Sequence, residues 1–162
     1  MVVVTVLAVS IAACTAGTSP DTTPQPTVST AWSADWRTSV CGAVSHLRDA
    51  RDAFAALGDA GGTADFDRAM ESAKSAATNA LVASTQLEAA GVWGPGRDLL
   101  NHMRNAAAHY RKAADRVKIA APSEDVDLLG EAIVEAGRGT ARFELGINAQ
   151  LALGSSVSWE TC

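Results

Sequence analysis

The chain has 162 residues, a length that suits one domain with a substantial core and leaves little room for two. Its formal net charge of -5 argues against nucleic acid as a partner, because an acidic protein and a polyanion repel each other. Aromatic residues make up only 5% of a chain rich in alanine, which favours packed helices over a β-sandwich.

The first predicted element is the short apolar run VVVTVLAVSI at residues 2–11. A membrane-spanning helix needs about 20 apolar residues, so this run is typical of a signal peptide instead. It ends in Ile11-Ala12-Ala13-Cys14, an aliphatic residue and two small residues before a cysteine. This pattern resembles the lipobox of bacterial lipoproteins. The alternative, a buried β-strand, lacks a visible partner strand.

The lipobox resemblance implies cleavage before Cys14 and a diacylglyceryl group, with acyl chains such as palmitate, on its thiol. The next residues, 15–31, are rich in Thr, Ser and Pro and carry one charge, Asp21, which predicts an extended tether. Fully stretched, this tether reaches about 55 Å. We therefore predict a signal peptide at 1–13, a lipidated cysteine and tether at 14–32, and a folded domain at 33–162, on the outer face of the cytoplasmic membrane.

Four segments with helical periodicity follow the tether, at residues 33–58, 63–90, 95–121 and 123–154. Thr63 and Ser123 are the predicted N-caps of the second and fourth segments. The predicted core stripe of the fourth segment consists of Val126, Leu129, Ile133, Ala136, Thr140, Phe143 and Ile147. Short connections make successive helices antiparallel, so we expect an all-α, up-down-up-down four-helix bundle.

The fourth segment also carries four glycines, Gly130, Gly137, Gly139 and Gly146. Together they cost about 4 kcal/mol of helix propensity relative to alanine. We expect close packing against the alanine-rich second helix to offset this cost. A kink in the helix and a gap that admits a ligand are the alternatives.

Two cysteines, Cys41 and Cys162, remain once Cys14 is assigned to the lipid. The predicted topology places both at the same end of the bundle, and an exported protein meets an oxidising environment, so we predict a disulfide between them. Closing a loop of about 120 residues stabilises the fold by about 4 to 5 kcal/mol in the chain-entropy model. Free or metal-binding thiols are the alternative, but no CxxC motif or Cys/His cluster supports a metal, so no metal or cofactor is predicted.

The four tryptophans, Trp32, Trp36, Trp93 and Trp159, also fall at this end of the predicted bundle. We expect them to form an aromatic plug that closes a core made largely of alanine. A stacking platform for a sugar ring or an apolar ligand is the functional alternative, and a membrane-interface belt is another.

A basic ribbon is predicted along the third helix, where Arg97, Arg104, Arg111 and Lys118 recur every seven residues. We expect it to form ion pairs with the acidic start of the fourth helix. Binding of cell-wall phosphate or lipid headgroups is the alternative.

Three further polar residues fall on helix faces or flanks. Arg51 lies on the apolar stripe of the first helix and is predicted to pair with Asp67 or Asp127. His102 and His109 lie along one flank of the third helix at a spacing that a metal could use. We expect them to be boundary residues, because metal sites in bundles draw on several helices.

The whole chain resembles small lipoproteins of high-GC Gram-positive bacteria, on the strength of its lipobox, tether, helical domain and cysteine pair. The sequence has no P-loop, GxSxG, HExxH or CxxCH motif. We therefore expect a membrane-anchored binding or structural module of the cell envelope, without catalysis, that contacts an envelope protein or glycan. A bundle that binds a small ligand or metal at the tryptophan-rich end or the His102/His109 flank is the alternative, and an envelope enzyme is the third hypothesis.

Overall fold

The computed structural model describes residues 33–58 and 65–153 and confirms the predicted all-α four-helix bundle. Its helices are α1 (Ala34–Gly58), α2 (Phe66–Ala89), α3 (Arg97–Ala120) and α4 (Val126–Ala152), with a short 3₁₀ turn at Ala121–Ser123. Within the described ranges, no helix is both long enough and apolar enough to span a membrane.

Aspartates cap the N-termini of α2 and α4. The carboxylates of Asp65 and Asp125 each accept a hydrogen bond from the backbone N–H three residues later, at 3.0 and 2.9 Å. The predicted cap Ser123 lies instead in the 3₁₀ turn, and the predicted cap Thr63 is outside the described residues. Glu124 adopts a left-handed φ of 51°, which turns the chain so that Asp125 can cap α4.

Packing between the helices is uneven around the bundle. α3 packs along α4, α1 along α2 and α2 along α3, whereas α1 and α4 touch over a short stretch only. Large side chains fill the centre, chiefly Tyr110, Leu47, Leu87, Leu99, Leu100 and Met103, all fully buried. The bundle is therefore closed on three sides by helices that pack along their length. The fourth side, between α1 and α4, is a thin edge with little contact between the helices.

Two glycines of α4 bring it close to α3. A Cβ added at Gly139 would lie 2.8 Å from Cε1 of Tyr110, and one added at Gly146 would lie 2.7 Å from Cε of Met103. The prediction that α2 would be the packing partner is wrong, because α3 and α1 are the neighbours of α4 and α2 lies diagonally across the bundle. Within the described residues, nothing beyond the local backbone of α4 lies within 4 Å of a Cβ added at Gly130 or Gly137.

The buried face of α4 differs from the predicted stripe. Val126 and Ile133 were predicted in the core but are 62% and 40% exposed. Glu135, Gly139 and Gly146 are buried in their place. The physical reason is that the glycine backbone must face Tyr110 and Met103, which turns the larger aliphatic residues of α4 outward.

Candidate functional site

The outer face of α4 is an uncharged, solvent-exposed strip. It consists of Val126, Gly130, Ile133, Val134, Gly137 and Ala141, all exposed. These residues recur at helical spacing over about 24 Å of helix. A helix face in contact with water normally carries charged residues. This face is therefore an unusual feature of the described surface of α4.

A groove between α1 and α4 borders this face. It has a volume of about 270 Å³ and is lined by Arg51, Phe54, Ala55, Ile133, Ala136, Gly137 and Thr140. Because α1 and α4 touch over a short stretch, their side chains leave this space unfilled. The outer face of α4 and the groove form one continuous surface, since Ile133 and Gly137 belong to both.

The interior beside the groove is aromatic. The rings of Phe54 and Tyr110 are stacked with their centroids 6.1 Å apart. The Tyr110 hydroxyl lies 3.2 Å from Oγ1 of Thr140, which itself donates to the Ala136 carbonyl oxygen at 3.3 Å. Burial raises the pKa of Tyr110 to about 12, although the Thr140 hydrogen bond lowers it in part. Tyr110 is therefore a neutral hydrogen-bond donor at physiological pH.

Among the described residues that line the groove, Arg51 provides the one cation. Its guanidinium lies 5.7 Å from the ring centroid of Phe143, within cation–π range, and its Nη2 lies 2.8 Å from Oδ1 of Asp52. The predicted ion pair of Arg51 with Asp67 or Asp127 is wrong, because Arg51 pairs instead with Asp52, the next residue on the same helix. The charge at this edge of the groove is already balanced.

A buried carboxylate lies on the opposite flank of α4, at the seam with α3. Glu135 is 1% exposed. It accepts hydrogen bonds from Nδ1 of His109 at 2.9 Å, Nη1 of Arg138 at 2.9 Å and Nη1 of Arg116 at 3.0 Å. Nζ of Lys112 lies 3.4 Å away. These five residues are called the Glu135 cluster below.

The Glu135 cluster keeps its carboxylate ionised. The His109 hydrogen bond, followed by those from Arg116 and Arg138 and the charge of Lys112, lowers the pKa of Glu135 to about 2 against the opposing effect of burial. An ionised carboxylate only accepts, so His109 carries its proton on Nδ1. The cluster joins α3 to α4, and the Glu135 carboxylate is unsuited to donate a proton near neutral pH.

The predicted basic ribbon of α3 does not supply the cations that surround Glu135. Nη2 of Arg104 donates to the carbonyl oxygen of Leu87 at 3.0 Å, and Nζ of Lys118 pairs with Asp115 at 3.1 Å on its own helix. Arg97 and Arg111 are exposed. The expected pairing between α3 and α4 does form, but Arg116 and Lys112 make it.

The two histidines of α3 do not converge on a metal site. His109 is held by Glu135, and the buried Nδ1 of His102 has no hydrogen-bond partner among the described residues. Among residues 33–58 and 65–153, no group of three or more His, Cys, Asp or Glu side chains could hold a metal ion.

The described tryptophans pack against each other. Trp36 is buried, and its ring meets that of Trp93 edge to face, with centroids 5.0 Å apart and planes at 63°. Since Trp36 is enclosed, it has no open ring face for a sugar. Trp32 and Trp159 lie outside the described residues.

One of the three cysteines lies in the described part of the chain. Cys41, on α1, is disulfide-bonded. The two other cysteines, Cys14 and Cys162, lie outside the described residues, so pairing of Cys41 with Cys162 and lipidation of Cys14 stay predictions.

Sequence reasoning missed both the Glu135 cluster and the outer face of α4. The signal for Glu135 was its helical spacing from Ala132 and Gly139, which share its buried face. The signal for the outer face was a strip of α4 without a charge.

Comparisons with protein-family profiles, curated proteins and solved structures found no match to the chain.

Proposed function

We propose that the protein is a helical binding or structural module of the cell envelope, anchored by lipid on Cys14, that contacts its partner through the outer face of α4 and performs no catalysis. The observation that carries the proposal is the uncharged exposed strip beside a thin edge of the bundle. A surface of this kind is favourable for a protein partner, because its burial removes apolar area from water without desolvating charges.

The location in the proposal is supported by the sequence. Ile11-Ala12-Ala13-Cys14 resembles a lipobox, and the Thr/Pro-rich stretch at 15–31 is long enough to hold a domain away from the lipid. The test is the intact mass, without reduction, of the chain extracted from the membranes of its own host. Cleavage before Cys14, added acyl chains and loss of two hydrogens for a disulfide are expected. An unlipidated chain would refute the anchor.

Contact through α4 is tested in the anchored full chain by photo-crosslinking. A benzophenone amino acid is placed at Val134, on the outer face of α4, and at Thr85, an exposed position on α2, as the matched control. We expect a discrete adduct on intact cells from Val134 and none from Thr85. Absence of an adduct at Val134 would overturn the proposal, whatever the result of the mass measurement.

The groove between α1 and α4 favours a second candidate function, the binding of a small apolar molecule against its largely apolar lining. Its volume of about 270 Å³ is near the lower end of the range for ligand pockets. The probe is 8-anilinonaphthalene-1-sulfonate. We expect its fluorescence to rise with the native chain and not with Ala55→Phe, which fills the groove, while Thr85→Phe leaves the rise unchanged. Equal signals from both variants would exclude the groove.

A further inference from the structure

The outer face of α4 is flanked by four charged residues in a particular order. Asp127 and Glu131 lie on its N-terminal half, and Arg138 and Arg142 lie on its C-terminal half. Glu131 is 3.7 Å from Arg116 of α3, and Arg138 contacts Glu135 at the same seam. The helical repeat places Asp127 and Arg142 on this flank as well. One edge of the apolar face is thus acidic at one end and basic at the other.

This charge order is self-complementary. If a second α4 is turned end over end about a point between Val134 and Glu135, its Arg142 comes opposite Asp127 and its Arg138 comes opposite Glu131. Both opposite-charge pairs form in the same register, and each forms twice because the arrangement has a twofold axis. The same register places Gly130 of one copy near Gly137 of the other.

The glycines allow two helices in this register to approach closely. A Cβ at Gly130 or Gly137 would meet no other atom within 4 Å, so nothing in the described chain requires glycine there. Two facing helices with small residues at the contact bring their backbones together and gain van der Waals contact along the seam. Val134, 59% exposed, would lie next to its own counterpart at the axis.

From these observations we infer that the outer face of α4 binds a second copy of this chain, as an antiparallel α4–α4 pair held by its apolar strip and by the pairs Asp127–Arg142 and Glu131–Arg138. The inference rests on the proposed function and names the partner. One helix pair is smaller than the roughly 800 Å² per partner of a standard interface. The pair is therefore reversible, and a shared membrane, which raises the effective concentration, favours it.

Charge exchange tests the inference in the anchored full chain with the crosslinker at Val134. Asp127 and Arg142 form no ion pair within residues 33–58 and 65–153, so their substitution breaks no ion pair of the described fold. Asp127→Lys or Arg142→Glu places like charges opposite each other twice, and either should lower the yield of crosslinked dimer by about fivefold or more. The double variant Asp127→Lys/Arg142→Glu should restore the native yield.

One control variant keeps the result specific. Glu88→Lys, at an exposed position on α2, changes the net charge as Asp127→Lys does and should leave the dimer yield unchanged. A double variant that crosslinks no better than the single variants would overturn the inference. An adduct of Val134 with a different protein would overturn the dimer and leave the proposed function standing, whereas no adduct would refute both.

Discussion

Two pairs of glycines on α4 have the same spacing and opposite surroundings. Gly139 and Gly146 face α3, where an added Cβ would come within 2.8 and 2.7 Å of Tyr110 and Met103. Gly130 is exposed and Gly137 lines the open groove, and at both positions an added Cβ would meet no neighbouring group of the described chain within 4 Å. The inner pair has a structural reason for lacking a side chain, and the outer pair has none inside the described chain.

The difference shows where a further contact belongs. Each glycine in a helix interior costs about 1 kcal/mol relative to alanine. At the inner pair, close packing of α3 on α4 offsets that cost. At the outer pair, no described residue offsets the cost, and the second copy of α4 proposed above would do so.

We call the face of α4 that packs on α3 its closed side and the exposed face its open side. The largest expected effect is on the closed side, at Glu135. Glu135→Gln removes the charge that His109, Lys112, Arg116 and Arg138 surround, and leaves the cations of Lys112, Arg116 and Arg138 to repel one another. We expect a loss of about 3 kcal/mol in the free energy of unfolding, at the low end for a buried ion pair because the covering side chains are partly exposed. Urea denaturation of the full chain measures it, with the exposed Glu144→Gln as the control. Equal losses in the two variants would contradict this reading of the cluster.

The same carboxylate sets the acid side of the stability profile. Because the pKa of Glu135 is lowered from 4.5 to about 2 in the folded chain, its contribution is fully present above pH 4.5 and is lost as the pH falls toward 2. The stability difference between the native chain and Glu135→Gln should shrink across that window. Urea denaturation at successive pH values checks this, and a constant difference would mean that Glu135 is not held ionised.

An intermediate effect is expected from Gly139→Ala on the closed side. The new methyl group would overlap the Tyr110 ring, which is fixed between Phe54 and Thr140, so we expect a loss of about 2 kcal/mol. Gly146→Ala should cost less, because the flexible end of Met103 can move aside. Thermal unfolding of the two variants measures the difference. A larger loss for Gly146→Ala than for Gly139→Ala would contradict this packing of α4 on α3.

The smallest expected effect has the opposite sign and belongs to the open side. Gly137→Ala adds a methyl group that meets nothing in the described chain, so at low protein concentration it should raise the free energy of unfolding by up to about 1 kcal/mol. A loss of stability would show that another segment already covers this glycine. Gly137→Ala and Gly139→Ala should therefore change the free energy of unfolding in opposite directions, and one unfolding series that includes both distinguishes the exposed face of α4 from its buried face.

The sequence was sufficient for the number, order and direction of the helices, because apolar periodicity and short connections determine them. It was insufficient for the rotation of α4. The apolar periodicity assigns Val126 and Ile133 to the core. Gly139 and Gly146 have no side chain that a hydrophobic pattern could detect. The packing that orients the helix is backbone against Tyr110 and Met103, and it becomes visible only in three dimensions.

The candidate site was predictable in part. The charges along α3 and at the start of α4 indicated ion pairing between these helices. The heptad pattern selected Arg104 and Lys118, whereas Arg116 and Lys112 make the pairs with α4. Several side chains on one helix lie within reach of the same neighbour, and their spacing alone does not rank them. The buried position of Glu135 decided the outcome.

The thin edge between α1 and α4 also bears on how the bundle opens. α1 with α2 and α3 with α4 form two hairpins whose helices are adjacent in sequence and pack along their length, while α1 and α4 touch over a short stretch. Local openings begin where the fewest buried contacts must separate, so backbone amides of α1 should exchange with solvent deuterium before those of α3. We therefore expect the bundle to open first along the edge between α1 and α4.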